Sequence, residues 1–315
     1  MKTGQIIKSI GGWYTIRDIN TKEHFESKAS GKLRYVRLDE DSSFNKQTTM
    51  RTKKDIKTVQ ISPKVGDIVL YDDTDDNYPI TKILPRRNQL DRPDVSNIDQ
   101  ILLFFSTIRP DFSFNLLDQF LVLIEKAHIK PIIIISKIDL IETTTLNKLK
   151  ANLTYYETIG YELYYVNSKQ KIGFDVLKDI FTDKVTVVAG QTGVGKSTFI
   201  NALMPGLELK TQETSDALGR GKHTTRHNEL YEYSGGLIAD TPGFSKLDFN
   251  IFDKRELKDY FIEFDSYKSG CKFEKDCDHV HEPGCNVKDN ENILPSRLEN
   301  YHKFYDEIDK QKERY

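Results

Sequence analysis

The sequence predicts an α/β fold with a smaller module at either end, and three observations support that prediction. Between residues 96 and 250, apolar runs of strand length alternate with helical segments, which is typical of a mainly parallel sheet. Residues 1–95 hold short β-rich runs separated by Gly, Pro and Asp. Residues 251–315 contain every cysteine of the chain, followed by an amphipathic segment. Three domains are therefore expected, divided near residues 95 and 250.

Composition limits the classes of function. A chain of 315 residues is long enough for two or three domains, each with its own core. The net charge of −2 creates no global attraction for nucleic acid, so any RNA-binding surface must be local. No run reaches the roughly 18 apolar residues of a membrane span, and the N-terminus lacks the apolar region of a signal peptide. A cytoplasmic location without membrane contact is expected, and clustered cysteines there favour metal binding over disulfides.

The N-terminal module is predicted to be a small β-barrel of the OB type. The runs "GQIIKSIGGWYTIRD" and "VGDIVLYD" have strand composition, and short strands of this kind build such barrels. Between them lies a basic, polar segment whose cations are candidate RNA phosphate contacts. On its own the segment is interpreted more simply as a solvated loop. Its cations are Lys46, Arg51, Lys53, Lys54 and Lys57.

The α/β region begins with a buried strand, "IDQILLFFST", and a helix, "NLLDQFLVLIEKAHI". Two further strands follow, "PIIIIS" and "YELYYVNS", and then a helix, "FDVLKDIF". "KVTVVAG" and "GGLIADTPG" are the last two predicted strands. Beyond them, "DKRELKDYFIEF" is predicted to be helical, and a final helix is expected with Ser296 as its N-cap. One face of that helix carries Leu298, Tyr301, Tyr305 and Ile308.

"GQTGVGKST" matches G-x-x-x-x-G-K-[ST] and stands between a predicted strand and a helix, the context that a phosphate-binding loop requires. Its glycines let backbone N–H groups surround a phosphate, next to the positive end of the helix. Lys196 would reach the β- and γ-phosphates, and Ser197 would ligate Mg²⁺. A glycine-rich turn without a ligand is the weaker alternative. The predicted phosphate contacts are Gly190, Gln191, Thr192, Gly193, Val194, Gly195, Lys196, Ser197 and Thr198.

A second motif, Ser136-Lys137-Ile138-Asp139, follows a buried strand and is predicted to read the base. The carboxylate of Asp139 would accept hydrogen bonds from N1–H and the exocyclic amine of guanine, a donor pair that adenine lacks. GTPases usually carry Asn where this chain has Ser136, so a somewhat lower base affinity is expected. The alkyl stem of Lys137 would lie along the base or the phosphate loop.

Two further strand ends complete the predicted nucleotide site. Asn167, Ser168 and Lys169 end the next strand and would offer a backbone N–H to the guanine oxygen. Asp240 and Gly243, in "DTPG", would hold Mg²⁺ through water and meet the γ-phosphate. Base-reading motifs normally follow the phosphate loop, whereas here they precede it. Because such a site is assembled from loops at the carboxyl ends of neighbouring strands, the reversed order predicts a circularly permuted P-loop GTPase domain.

The whole pattern resembles the RsgA (YjeQ/YloQ) family of small ribosomal subunit biogenesis GTPases. The resemblance covers nearly the full chain, from "NQLDRPDVSNIDQ" through "RGKHTTRH", "DTPGF" and "HEPGC" to "SRLENYHKF". It implies an N-terminal OB-fold that contacts ribosomal RNA, a permuted GTPase domain and a zinc-binding helical C-terminal domain. It also implies a monomer that binds GTP with Mg²⁺, and whose hydrolysis is stimulated by the nearly mature small subunit.

The resemblance places switch I at residues 219–226, where Thr224 or Thr225 would ligate Mg²⁺. Phe244 occupies the position of the usual water-orienting Gln, so slow intrinsic turnover is expected, and His223 is the candidate for that role. A solvated switch-loop histidine is the equal alternative.

The cysteine window is predicted to hold one structural zinc ion, since three thiolates and one imidazole make a closed tetrahedral site. Its ligands would be Cys271, Cys277, His279 and Cys285, with His281 as a weaker alternative to His279. The gap between the first two cysteines is one residue longer than the family's usual four.

Two other functions stay open at the sequence level. One is a permuted GTPase of large-subunit assembly, against which the zinc module argues. The other is an RNA-binding scaffold that binds GTP with little turnover.

Overall fold

The structure is a computed structural model that describes residues 1–34, 62–91, 94–207, 228–240 and 252–312. It divides into two compact units. The first comprises Met1–Gln100, Val176–Val188 and Met204–Gly243, and the second comprises Ile101–Asp175, Ala189–Leu203 and Phe244–Tyr315. Among the described helices, none combines the length and apolar composition needed to cross a membrane.

Thirteen strands and four α-helices are described. The strands are β1 (Lys2–Ile10), β2 (Trp13–Asp18), β3 (His24–Lys28), β4 (Ile68–Tyr71), β5 (Ile80–Ile83), β6 (Gln89–Asp91), β7 (Asp94–Ser96), β8 (Gln100–Ser106), β9 (Lys130–Ser136), β10 (Glu162–Tyr165), β11 (Val185–Gly190), β12 (Asn228–Tyr233) and β13 (Gly236–Asp240). The helices are α1 (Phe114–Lys126), α2 (Thr143–Thr158), α3 (Lys196–Leu203) and α4 (Pro295–Lys312).

The first unit contains a closed five-stranded barrel. Strand β1 pairs with β2 and β4 antiparallel, β2 pairs with β3, and β4 pairs with β5. A parallel bridge between Ala29 and Ile80 joins the end of β3 to β5 and closes the ring. Ile6, Ile16 and Val69 are fully buried inside it. The order β1-β2-β3-β5-β4 agrees with the OB-type barrel expected from the sequence.

The same unit extends beyond the barrel through strand pairing. Strand β12 pairs antiparallel with both β1 and β13, and β13 pairs parallel with β11. The register places Asp240, the last residue of β13, opposite Val188. This strand therefore ends beside the segment that leads into the glycine loop.

The second unit has strand β9 between β8 and β10, with β9 and β10 parallel. Residues 131–136 of β9 and all of β8 are buried, which explains their uninterrupted apolar runs. Helix α1 begins at an N-cap, Ser113, whose hydroxyl accepts the Leu116 N–H, and it buries Leu117, Phe120 and Leu121. The carboxyl ends of β9 and β10 lead into the polar motifs identified in the sequence.

Two predicted helices are 3₁₀ turns instead. "FDVLKDIF" forms turns at Asp175–Leu177 and Asp179–Phe181, because an eight-residue segment is marginal as an α-helix and the Ile180 carbonyl accepts a bond from Gln100. "DKRELKDYFIEF" contains turns at Leu257–Tyr260 and Ile262–Ser266, which bury Leu257 and Phe264 in the C-terminal core.

Two α-helices also differ from the sequence expectation. Helix α4 begins at Pro295, a residue suited to the first helical position, so Ser296 lies inside the helix and does not cap it. Helix α2 is not indicated by periodicity, since only Leu153 and Tyr156 of its sixteen residues are buried. The expected apolar face of α4 is confirmed: Tyr301 and Ile308 are buried, and Leu298 and Tyr305 pack against the same core.

Candidate nucleotide site and metal centre

The glycine loop connects β11 to α3 and adopts backbone angles that only glycine takes without strain. Gly190, Gly193 and Gly195 have φ values of 134°, 84° and 97°. A Cβ atom at Gly190 would stand 2.3 Å from the carbonyl oxygen of Phe104, so no side chain fits between the loop and β8. The loop therefore lies directly against the neighbouring backbone.

Lys196 opens helix α3 and folds its side chain back over the loop. Its ammonium donates to the carbonyls of Gly190 at 2.8 Å and Gln191 at 2.7 Å. Phe199, one turn later, is fully buried and packs on Phe104 with ring centroids 4.9 Å apart. The helix start is thus anchored at the loop, where the Lys196 ammonium and the positive end of the helix lie together, an arrangement that suits a phosphate.

The base-reading motif lies beside this loop. Ser136 is 2% exposed, and its hydroxyl lies 2.5 Å from the carbonyl oxygen of Val194 and 3.1 Å from that of Phe105. Asp139 follows as an exposed residue of the turn that the Leu140 N–H closes on the Lys137 carbonyl at 3.1 Å. Residues 58 positions apart in the chain are therefore in direct contact. The serine hydroxyl is used to join the two loops.

Lys137 has a left-handed backbone, with φ of 56°. Its ammonium donates to the carbonyl of Ile108 at 3.3 Å and to that of Arg109. Burial lowers the pKa of Lys137, and the nearby charge of Arg109 lowers it further. The ammonium thus rests on the loop after β8, a contact that the sequence does not indicate.

The loop after β10 is held by the Asn167 side chain, which is 2% exposed. Its Oδ1 accepts the N–H groups of Lys169 at 3.0 Å and Gln170 at 3.2 Å, and its amide donates to Gln170 Oε1. The backbones of Asn167 and Ile172 exchange two hydrogen bonds of 3.1 Å. Asn167 shapes this loop, and Ser168 lies at its partly buried start.

Several predicted site residues lie outside the described part of the chain. These are His223, Thr224, Thr225 and Gly243, together with Phe244 and the cations Lys46, Arg51, Lys53, Lys54 and Lys57. Asp240 is described as the end of β13, but its side chain is not.

The four predicted zinc ligands come together in the second unit. The ligand atoms of Cys271, Cys277, His279 and Cys285 lie within 4.8 Å of one another, and all four residues are buried. The Cys271 and Cys285 sulfurs are 3.9 Å apart, and His279 Nδ1 is 3.6 and 3.3 Å from them. Four such ligands around one Zn²⁺ lie about 3.5–3.8 Å apart, so the donor set fits a closed tetrahedral site.

The extra residue between Cys271 and Cys277 is absorbed by a 3₁₀ turn at Glu274–Asp276, and Glu274 takes a positive φ of 44°. Cys271 accordingly stays in the cluster. His281 is not a member, and among the described residues the cluster found is this set of four.

Backbone hydrogen bonds position the segments that carry the four ligands. The Lys288 N–H donates to the Cys285 sulfur at 3.2 Å, and the Glu282 carboxylate accepts the N–H groups of Asp278, Val280 and His281, each at 3.1 Å. Burial raises the pKa of Cys277 to about 12 and lowers that of His279 to about 4. Buried thiolates without a counter-charge are unfavourable, and a divalent cation supplies that charge.

Sequence reasoning missed a buried ion cluster beside the metal centre. Arg297 on α4 is fully buried and pairs with Asp118 on α1 at 2.6 Å and with Glu263 through two nitrogens. Tyr156 and Asn300 each donate to the Asp118 carboxylate at 2.7 Å. The one sequence signal is a charged residue, Asp118, within the otherwise apolar face of a predicted helix.

Over its whole length the chain is similar to proteins that share one family name. The family model described as RsgA GTPase matches residues 83–250. A protein of Onion yellows phytoplasma, named Small ribosomal subunit biogenesis GTPase RsgA, is 46% identical over 314 residues, which cover 99% of each chain. A protein of Oceanobacillus iheyensis, named Small ribosomal subunit biogenesis GTPase RsgA 2, is 43% identical over the full length of both.

Two solved structures resemble this one. The crystal structure of YloQ, a circularly permuted GTPase, matches with a TM-score of 0.78 and 36% identity, covering 100% of this chain and 97% of that one. YjeQ from Thermotoga maritima matches with a TM-score of 0.78 and 32% identity, covering 98% of each chain.

Proposed function

The chain belongs to the RsgA GTPase family, and from that membership we propose that it hydrolyses GTP to GDP and phosphate while bound to the small (30S) ribosomal subunit, late in the maturation of that subunit. The subunit stimulates the hydrolysis, and the protein acts as a monomer in the cytoplasm, where subunits are assembled. The names of relatives matched end to end support the biological setting.

The hydrogen bond between the Ser136 hydroxyl and the Val194 carbonyl carries the chemical part of the proposal. It joins the loop that would read the base to the loop that would hold the phosphates. One nucleoside triphosphate can then be bound at both ends. The same bond gives a reason for the serine at this position. Its side chain is short enough for the hydroxyl to fit between the two loops, 2.5 Å from the Val194 carbonyl oxygen.

The proposed roles follow from the chemistry of each group. Asp139 accepts the two donors of the guanine edge, and a backbone N–H of Asn167, Ser168 or Lys169 binds the guanine oxygen. Lys196 releases the Gly190 and Gln191 carbonyls and binds the β- and γ-phosphates. Ser197, in the first turn of α3, would hold Mg²⁺, which neutralises phosphate charge when bound.

Residues outside the described part, and the side chain of Asp240, complete the proposal. Thr224 or Thr225 would add a ligand to Mg²⁺, and Asp240 and Gly243 would serve the γ-phosphate end. His223 would orient the attacking water on the small subunit, because Phe244 cannot hydrogen-bond to water. The cations Lys46, Arg51, Lys53, Lys54 and Lys57 would contact ribosomal RNA phosphates.

The Cys₃His cluster would hold one structural Zn²⁺ through Cys271, Cys277, His279 and Cys285. Because every ligand position is taken by protein, this ion would fix the C-terminal module and leave no coordination site for a substrate. Its contribution is therefore to folding and to the surface that the module presents.

Phosphate release from GTP, measured with and without purified 30S subunits, tests the proposal. We expect slow release by the free protein and a strong increase with 30S but not with 50S subunits. Lys196→Ala should abolish the increase, whereas Lys184→Ala, an exposed lysine outside the loop, should not. Stimulation by 50S subunits alone would indicate large-subunit assembly, and 30S binding without stimulation would indicate a scaffold.

A further inference from the structure

The loop after β8 makes four hydrogen bonds with the base-reading motif, although it carries no nucleotide-binding signature. We propose that Thr107, in this loop, is a positioning residue for guanine recognition: it holds the backbone of Ser136 and Lys137 so that Asp139 faces the base. This inference rests on the proposed function, since it concerns the same nucleotide site.

Thr107 makes two hydrogen bonds to consecutive carbonyls of the motif. Its N–H donates to the Ser136 oxygen at 3.2 Å, and its hydroxyl donates to the Lys137 oxygen at 2.8 Å. The Lys137 oxygen also accepts the Leu140 N–H, which closes the turn that contains Asp139. The Thr107 hydroxyl therefore fixes the peptide plane from which that turn starts.

The contact is reciprocal. While Thr107 donates to the Lys137 carbonyl, the Lys137 ammonium donates to the carbonyls of Ile108 and Arg109 in the same loop. Each segment thus donates from a side chain to backbone carbonyls of the other. This matters because Lys137 takes a left-handed φ of 56°, a conformation that persists only when surrounding contacts determine it.

The hydrogen bonds that hold the motif have separate roles. The Ser136 hydroxyl fixes the motif to the phosphate loop, upstream of the turn. Thr107 fixes the turn itself through the carbonyl of Lys137, two residues before Asp139. Loss of the Thr107 hydroxyl should consequently leave the phosphate end intact and misplace Asp139 relative to the guanine N1–H and exocyclic amine.

Thr107→Val removes the hydroxyl at constant shape, and Thr107→Ser retains it. Dissociation constants for GDP, IDP and ADP should be measured for each, where IDP lacks the exocyclic amine that Asp139 would bind. One lost hydrogen bond predicts about threefold to tenfold weaker GDP binding by Thr107→Val, with a smaller loss for IDP. The GDP-over-IDP preference then falls, and Thr107→Ser restores it.

Equal losses for GDP and IDP, or no loss for either, would overturn the inference, because a general structural role moves both alike. Thr107→Ala replaces Thr107→Val if the latter does not retain zinc and a wild-type circular dichroism spectrum. A wild-type protein that binds ADP as tightly as GDP would instead refute the proposed function, whatever Thr107 does.

Discussion

Replacing Arg297 with methionine would test how the C-terminal module is fixed to helix α1. Arg297 is fully buried between Asp118 and Glu263, whose side chains are 0% and 2% exposed. Its guanidinium pairs bidentately with Glu263 and donates to Asp118 at 2.6 Å. Methionine fills a similar apolar volume but leaves both carboxylates without their cation. The variant should therefore lose much more stability than a surface change.

The magnitude follows from the two options open to a stranded carboxylate. Breaking a buried ion pair by removing one partner costs about 3–5 kcal/mol. The carboxylate can instead take up a proton, and the cost of that protonation is an upper limit on the loss. For Asp118, with an ordinary pKa of 3.8, protonation at pH 7 costs about 4 kcal/mol, at 1.36 kcal/mol per pKa unit. For Asp118 alone both routes give a loss near 4 kcal/mol, and the unpaired Glu263 carboxylate adds to it.

The loss should shrink in mild acid. Burial raises the pKa of Asp118, and Arg297 opposes that rise, so removal of Arg297 raises the pKa further. A folded-state pKa above the unfolded value means that the folded state binds more protons, and stability then increases as the pH falls towards 3.8. At pH 5.5 the protonation of Asp118 costs only about 2 kcal/mol, so the part of the loss that comes from Asp118 should be about halved.

Hydrogen exchange measured by mass spectrometry in α1 and α4, at pH 7 and pH 5.5, gives the free energy of opening for these helices. Arg255→Met is the matched control, since Arg255 is exposed in the same module. A variant combining Arg297→Met with Asp118→Asn and Glu263→Gln removes all three charges and should recover most of the loss. A loss below 1 kcal/mol at pH 7, or one that grows at pH 5.5, would refute the reasoning.

Two further outcomes are expected. Cys277→Ser should lose the one equivalent of zinc that we propose for the Cys₃His cluster, measured by atomic absorption, and should lower the melting temperature of the C-terminal module. Ser269→Ala, at an exposed position, should change neither. Full zinc content in Cys277→Ser would remove that residue from the ligand set. Asp139→Asn should shift nucleotide preference from GTP towards XTP, because an amide matches the donor and acceptor pattern of xanthine; an unchanged preference for GTP in a competition titration would mean that Asp139 does not read the base.

The predicted α/β fold and its permuted order are confirmed by the likeness to YloQ, a circularly permuted GTPase. They could be predicted because each relevant strand is a continuous apolar run that ends in a polar motif, as in residues 131–139. Short segments were less predictable. Residues 174–181 have helical composition, yet the Ile180 carbonyl bonds to Gln100, and such a distant partner is invisible in local sequence.

The candidate site was predictable where a motif has a fixed spacing. The Cys₃His cluster is the clearest case, since its members lie within fifteen residues of one another and converge in the structure. Thr107 and Arg297 could not be found in this way. Their roles depend on contacts with residues 30 and 179 positions away, and a single threonine or arginine has no pattern that indicates such a partner.

The structure also gives a physical reason why the reversed motif order is tolerated. The base-reading turn is fixed to the loop after β8 through Thr107 and Lys137, all within residues 107–140. It can therefore form from one continuous segment, without the phosphate loop. The two pieces then meet where the Ser136 hydroxyl bonds to the Val194 carbonyl, 58 residues later, and where Gly190 and Phe199 lie against Phe104. Because closing a longer chain loop adds little entropy, the order in which the two pieces occur has little effect on stability. What the permuted chain must preserve is this set of contacts between the two pieces.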